Sequence, residues 1–210
     1  MAYASGTLGE ALSVVVACHV AWCPSCQREL RRHEETGGAI IEAIDSVPVN
    51  ENCWQAVLSR IDSCCQDQGH RKTTGDTSGE LSLGLPRPLC RLLQRPLETI
   101  PWRRVAPGVS VYKIDMGPGA RGRLMLMRIA GGKSLPRHGH KAGELTMVLR
   151  GAYQDEVGRF AMGDIADLGN DVEHRPRIDS GSDCICLVGL ERPWRFKAFF
   201  LRLVQPFMRL

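Results

Sequence analysis

A chain of 210 residues with 43% hydrophobic and 24% charged residues has room for one large domain or two small ones. It contains no apolar run of eighteen residues and no basic-then-apolar leader after Met1, so neither a membrane span nor secretion is indicated and the expectation is a cytoplasmic protein. The net charge of +4 is unevenly spread: residues 1–65 hold four arginines and no lysine against eight acidic residues, whereas 66–210 hold 23 basic against 15 acidic residues. An acidic first piece argues against direct nucleic-acid binding, although such a piece can cover a basic surface on a partner that binds DNA.

In chain order, Leu8, Ala11, Leu12, Val15 and Val16 recur at helical spacing, and Thr7 with Glu10 fits a Ser/Thr-x-x-Glu capping box. The pattern predicts a helix from Thr7 to about Trp22. Pro24 suits the first turn of a second helix, because its missing N–H would be unpaired there in any case; that helix is expected to stop at Gly37-Gly38. A third helix is predicted over Glu51 to Ser63. The polar, aperiodic stretch from Gln66 to Gly84 reads as a linker. After Pro86 come β-rich runs at 109–116, 123–130, 144–153, 183–190 and 196–204, separated by Gly, Pro and Asp clusters, which is the pattern of an all-β sandwich or barrel.

Two constellations carry chemistry. On a helix His19 and Cys23 share a face at i and i+4, and the C-x-x-C spacing brings Cys26 back toward them. Imidazole and thiolate donors at this spacing suit Zn²⁺, which takes four such ligands when its role is structural. A redox dithiol and a pair of buried thiols remain as alternatives; a thioredoxin-like dithiol opens a helix after a strand, and here a helix comes first. For the fourth donor, Cys18 lies about 100° round the helix from His19 and His33 lies roughly two turns beyond Cys26. Neither fits well, and the expectation is a ligand upstream of Met1.

The second constellation is Gly132, His138, His140, Glu144 and Gly151, followed by Gly163 and His174. Residues i and i+2 of a strand face the same side, so His138 and His140 can look into a barrel with Glu144 and His174 arriving from neighbouring elements. Three imidazoles and one carboxylate suit Zn²⁺, Fe²⁺, Mn²⁺ or Ni²⁺.

The spacing G-x5-H-x-H-x3-E-x6-G with the later histidine resembles the two cupin motifs; in the second, Gly169 stands where Pro is usual, Asp171 where Gly is usual and Ile178 where Asn is usual. The H-x3-C-x2-C helical unit joined to a cupin, with AYASGTL, DCICL and RLVQPF, is similar to the ChrR-type zinc-binding anti-sigma factors over nearly the whole chain. The resemblance implies an α+β multidomain fold: a small N-terminal helical zinc-binding anti-sigma domain at 1–65, a linker at 66–85 and a C-terminal all-β cupin barrel at 86–210. It implies zinc at His19, Cys23 and Cys26, whose fourth family ligand, a histidine some two dozen residues before His19, has no position here. It implies zinc or another divalent transition metal at His138, His140, Glu144 and His174. It also implies sequestration of an extracytoplasmic-function sigma factor until singlet oxygen or an organic hydroperoxide causes release. No direct nucleic-acid contact, membrane contact or catalysis is expected; self-association through the barrel is compatible with it. Cys184 and Cys186, on one side of a strand, are either packed thiols or oxidant-sensing ones. The competing reading is a metal-dependent cupin enzyme, a dioxygenase or isomerase of unknown substrate, in which open metal positions bind the substrate.

Overall fold

The computed structural model describes residues 1–50, 52–67, 84–139, 143–169 and 172–191. Most of the expected linker, His140 and the run at 196–204 lie outside these residues.

Helix α1 spans Glu10–Trp22 and α2 spans Pro24–Glu42. The expected capping box does not form. The α1 N-cap is Gly9 without a side-chain cap, Thr7 Oγ1 donates to Ala2 O, and Glu10 Oε2 instead accepts the Arg121 N–H at 2.7 Å. A tertiary partner has taken the carboxylate that the local motif required. Pro24 does open α2, but Gly37-Gly38 does not close it. Each glycine costs about 1 kcal/mol in a helix interior, and the helix-forming residues after them carry it on to Glu42. Helix α3 runs Cys53–Asp67, later than expected at both ends.

A short helix missed by the pattern, α4 (Arg87–Leu93), follows Pro86, with Pro88 in its first turn where no N–H is needed. The β region then forms β1 (Arg103–Ala106), β2 (Val109–Ile114), β3 (Arg123–Ile129), β4 (His138–Gly139), β5 (Glu144–Arg150), β6 (Ala152–Gln154), β7 (Arg159–Ala161), β8 (Ile165–Asp167), β9 (Glu173–His174), β10 (Arg177–Ile178) and β11 (Cys184–Leu190). A six-stranded sheet has the order β1-β2-β3-β11-β5-β8; a three-stranded sheet β10-β6-β7 and a two-stranded pair β4-β9 complete the barrel. All described pairings are antiparallel.

The large sheet is apolar on both faces, so its strands read as continuous hydrophobic runs rather than alternating ones. Met125, Met127, Val148, Cys184, Cys186 and Val188 pack inside the barrel with Tyr153 and Ile178. Leu124, Leu126, Leu145, Met147, Leu149, Ile185 and Leu187 point outward, where Ala11, Leu12, Val15 and Cys18 of α1 cover them together with Leu89, Cys90 and Leu93 of α4. Helix α1 therefore shares one core with the barrel. Gly189 is what lets it lie so close: a Cβ there would stand 2.8 Å from Ala11 O and 2.9 Å from Val15 Cγ2. By contrast, α2 buries no residue. Among the described residues no helix is long and apolar enough to cross a membrane.

Candidate metal centres

Cys23 ends α1 and caps α2 in one extended residue, its N–H bonded to His19 O and its own carbonyl accepting the Gln27 N–H. This corner, pinned further by Gln27 Nε2 donating to Val20 O at 2.8 Å, folds Cys26 back onto the last turn of α1. The ligand atoms of His19, Cys23 and Cys26 all lie within 4.8 Å of one another, and no other such group occurs among the described residues. Donors around tetrahedral zinc stand roughly 3.5–3.8 Å apart, given bond lengths of about 2.0–2.3 Å. His19 Nε2 lies 3.2 Å from Cys26 Sγ, so the three residues fit three corners of such a site.

Electrostatics favours thiolate character at this corner. The Ser25 hydroxyl, 3.1 Å from Cys23 Sγ, and the Cys26 N–H at the start of α2 pull the Cys23 thiol down to about 6. Burial and the neighbouring Cys23 push Cys26 the other way. The second nitrogen of His19 is also engaged: Nδ1 donates to the carbonyl of Gly163, 2.8 Å away in the turn between β7 and β8. A ligand reached through helix spacing is thus oriented by the barrel.

In the barrel, strand pairing sets His138 opposite His174, with ring centroids 4.6 Å apart. His174 is buried and its Nδ1 donates to Asp155 Oδ2 at 2.7 Å; the Asp155 side chain has no solvent exposure. His138 Nδ1 donates to Pro136 O at 2.8 Å. In both rings the proton is placed on Nδ1, which puts the lone pair on Nε2, the pattern of metal-ligating histidines. Glu144, 7% exposed at the start of β5, accepts from Thr146 Oγ1. His138, Glu144, Thr146, Tyr153 and Cys186 line a cavity of about 40 Å³ whose remaining wall is apolar. His140 lies outside the described residues. Cys184 and Cys186 are both buried on the barrel's inner side, their sulfurs 3.6 Å apart. Their mutual hydrogen bond draws Cys184 down while pushing Cys186 up, and burial adds to the rise at Cys186.

A groove of about 420 Å³ beside α1 is lined by His19, Cys26 and His33, by the apolar Leu8, Leu12, Val16, Leu145 and Ile165, and by Glu144 and Asp167. His33, set aside as a clamp ligand, stands on this groove 4.0 Å from Glu29. Asp155 and the Gly163 carbonyl are the polar groups that sequence reading missed. Asp155 carries a local signal only as a turn former, its Oδ1 accepting the N–H groups of Val157 and Gly158; nothing local pointed to His174.

Residues 94–192 match the ChrR cupin-like domain. The chain is 37% identical over 209 residues to the anti-sigma-E factor ChrR of Cereibacter sphaeroides, covering 100% of this chain and 94% of that protein. Its fold is similar to the crystal structure of Rhodobacter sphaeroides SigE in complex with the anti-sigma ChrR, with a TM-score of 0.74 and 34% identity over 90% of this chain and 93% of that one.

Proposed function

The chain belongs to the ChrR family of anti-sigma factors, and from that membership we propose that it holds an extracytoplasmic-function sigma factor inactive in the cytoplasm and releases it on an oxidative signal, singlet oxygen or an organic hydroperoxide. The observation that carries this reading is the outer surface of the helical segment. Ile40, Ile41 and Ile44, at the end of α2 and just beyond it, are 63–70% exposed, as is Trp54 of α3 at 66%. Trp54, Val57 and Ile61 fall on one helical stripe, and none of them is buried. Apolar side chains concentrated in this way on an acidic unit mark a protein-binding surface. Residues 1–65 are, on this reading, the sigma-binding unit and 86–210 the sensing barrel, with apolar helix faces supplying affinity and acidic residues orienting the encounter.

His19, Cys23 and Cys26 would hold zinc, and His138, His140, Glu144 and His174 zinc or another divalent transition metal. Bound zinc supplies folding free energy, on the order of 10 kcal/mol in small metal-folded peptides. The residues do the rest: Cys23 sets the corner between α1 and α2, Cys26 and His19 close it, and their convergence, with the Gln27–Val20 hydrogen bond, holds α2 in its direction. Because α2 has no buried side chains of its own, opening the corner releases the surface that sigma grips.

A regulatory rather than enzymatic role is supported by the similarity to anti-sigma factors over the whole chain. Direct DNA binding has no support in the acidic helical unit. The test is sigma-dependent transcription in vitro with purified polymerase. Addition of this chain should suppress it, and addition of oxidant should restore it. Undiminished transcription at saturating chain overturns the proposal.

A further inference from the structure

We propose that the β7–β8 turn of the barrel is part of the helical clamp: the Gly163 carbonyl is the positioning group for His19, so the barrel governs how firmly the clamp holds an ion. The inference rests on the reading of His19, Cys23 and Cys26 as ion donors and adds a component from the other end of the chain.

The geometry is specific. His19 Nδ1 lies 2.8 Å from Gly163 O across 144 residues of sequence, and the opposite nitrogen, Nε2, faces Cys26 Sγ at 3.2 Å. Donating Nδ1–H fixes the tautomer and the ring plane together, and with them the direction of the Nε2 lone pair. The acceptor is itself held rigidly. Gly163 N donates to Val148 O at 2.9 Å, Val148 N donates to Asp164 O at 3.0 Å, and Asp164 Oδ2 accepts the Ala161 N–H at 2.8 Å. The turn is thereby fastened to β5, which begins at Glu144 and pairs with the Cys184–Cys186 strand β11. A shift of β5 inside the barrel reaches His19 through the four backbone atoms of Gly163 and the two hydrogen bonds that flank them. By reciprocity, loading the clamp steadies the turn.

Gly163 provides the test, because its φ of +92° is one that L side chains rarely adopt, while a Cβ there would touch nothing within 4 Å. Gly163→Ala therefore turns the carbonyl without creating a clash. Gly119→Ala is the matched control: the same strain at φ +87°, the same open space, but in the β2–β3 connection. Asp164→Ala is a second variant that loosens the turn and leaves position 163 unchanged. The full chain is loaded with Co²⁺ and titrated with a competing chelator, following the thiolate-to-cobalt charge-transfer band, which reports the clamp because the barrel donors are nitrogen and oxygen.

Gly163→Ala should weaken cobalt binding by about 10- to 100-fold, the usual effect of losing a partner that orients a ligand. Asp164→Ala should weaken it less, and Gly119→Ala should not. If both turn variants hold cobalt as tightly as the unchanged chain, or Gly119→Ala loosens it equally, the coupling is refuted while the clamp stands. If the unchanged chain shows no thiolate band, the clamp reading itself fails and this inference with it.

Discussion

Asp155 and His174 form a buried pair, Oδ2 to Nδ1 at 2.7 Å, in which the carboxylate also accepts two backbone N–H groups of its own turn through Oδ1. One side chain thus shapes the β6–β7 connection and aims an imidazole. Asp155→Ala should destabilise the chain by about 3 kcal/mol or more, since it strips a partner from a buried polar group. Asp155→Asn should retain more of the turn but lose orientation at His174. Metal-to-chain stoichiometry after saturation should fall in both, while the cobalt–thiolate band of the clamp persists in Asp155→Asn.

Gly189→Ala should lift α1 from the sheet. The added methyl meets Ala11 O at 2.8 Å, which is backbone and cannot swing aside. Overpacking of this kind costs typically 1–3 kcal/mol. Thermal unfolding should show the loss, and limited proteolysis should cut within Glu10–Trp22 faster than in the unchanged chain.

Metal removal should separate the two helices that meet at Cys23. Helix α1 is held by Ala11, Leu12, Val15 and Cys18 in the sheet's outer core, none of which depends on an ion, whereas α2 has no buried residue. After chelation, hydrogen exchange should accelerate throughout α2 and stay slow in the buried turns of α1. Equal acceleration of both would show that α1 also depends on the clamp.

Trp54→Asp should leave stability within about 0.5 kcal/mol, because the ring is 66% exposed in the free chain. Binding to the cognate sigma factor should weaken by roughly 30-fold or more, as expected when a charge replaces an aromatic anchor on the proposed binding stripe. Calorimetry of the free chain and surface-immobilised sigma measure the two quantities separately.

Thiol reactivity should follow burial and ionisation. Cys53 is exposed, whereas Cys18 is fully buried between α1 and α4 and its thiol is pushed by desolvation from the ordinary 9.0 to about 12. At pH 8 a maleimide or disulfide reagent should modify Cys53 within minutes and Cys18 only after unfolding. The linkage has a sign: between pH 9 and 12 the folded chain retains a proton that the unfolded chain has lost, so stability should fall as pH rises through that window. Cys18→Ala should flatten that part of the profile.

The residue pattern alone determined the convergence of His19, Cys23 and Cys26, because helix spacing and a C-x-x-C corner bring them together within eight residues. It also determined the β identity of four of the five runs after Pro86, in which β-branched and long apolar side chains recur between turn formers; the fifth lies outside the described residues. His138 and His174 were legible as a pair for the same kind of reason, through the spacing of a barrel motif. Local signals failed where a distant group competed for the same atoms. Glu10 abandoned its capping box for the Arg121 N–H, and the two glycines in α2 could not end a helix that nothing else terminated. Tertiary structure alone decided that α1 completes the barrel's outer core, that Asp155 holds His174 and that Gly163 faces His19. Each of these joins groups between 19 and more than 100 residues apart, and only the closing of the sheet brings such groups within reach of a hydrogen bond or a van der Waals contact.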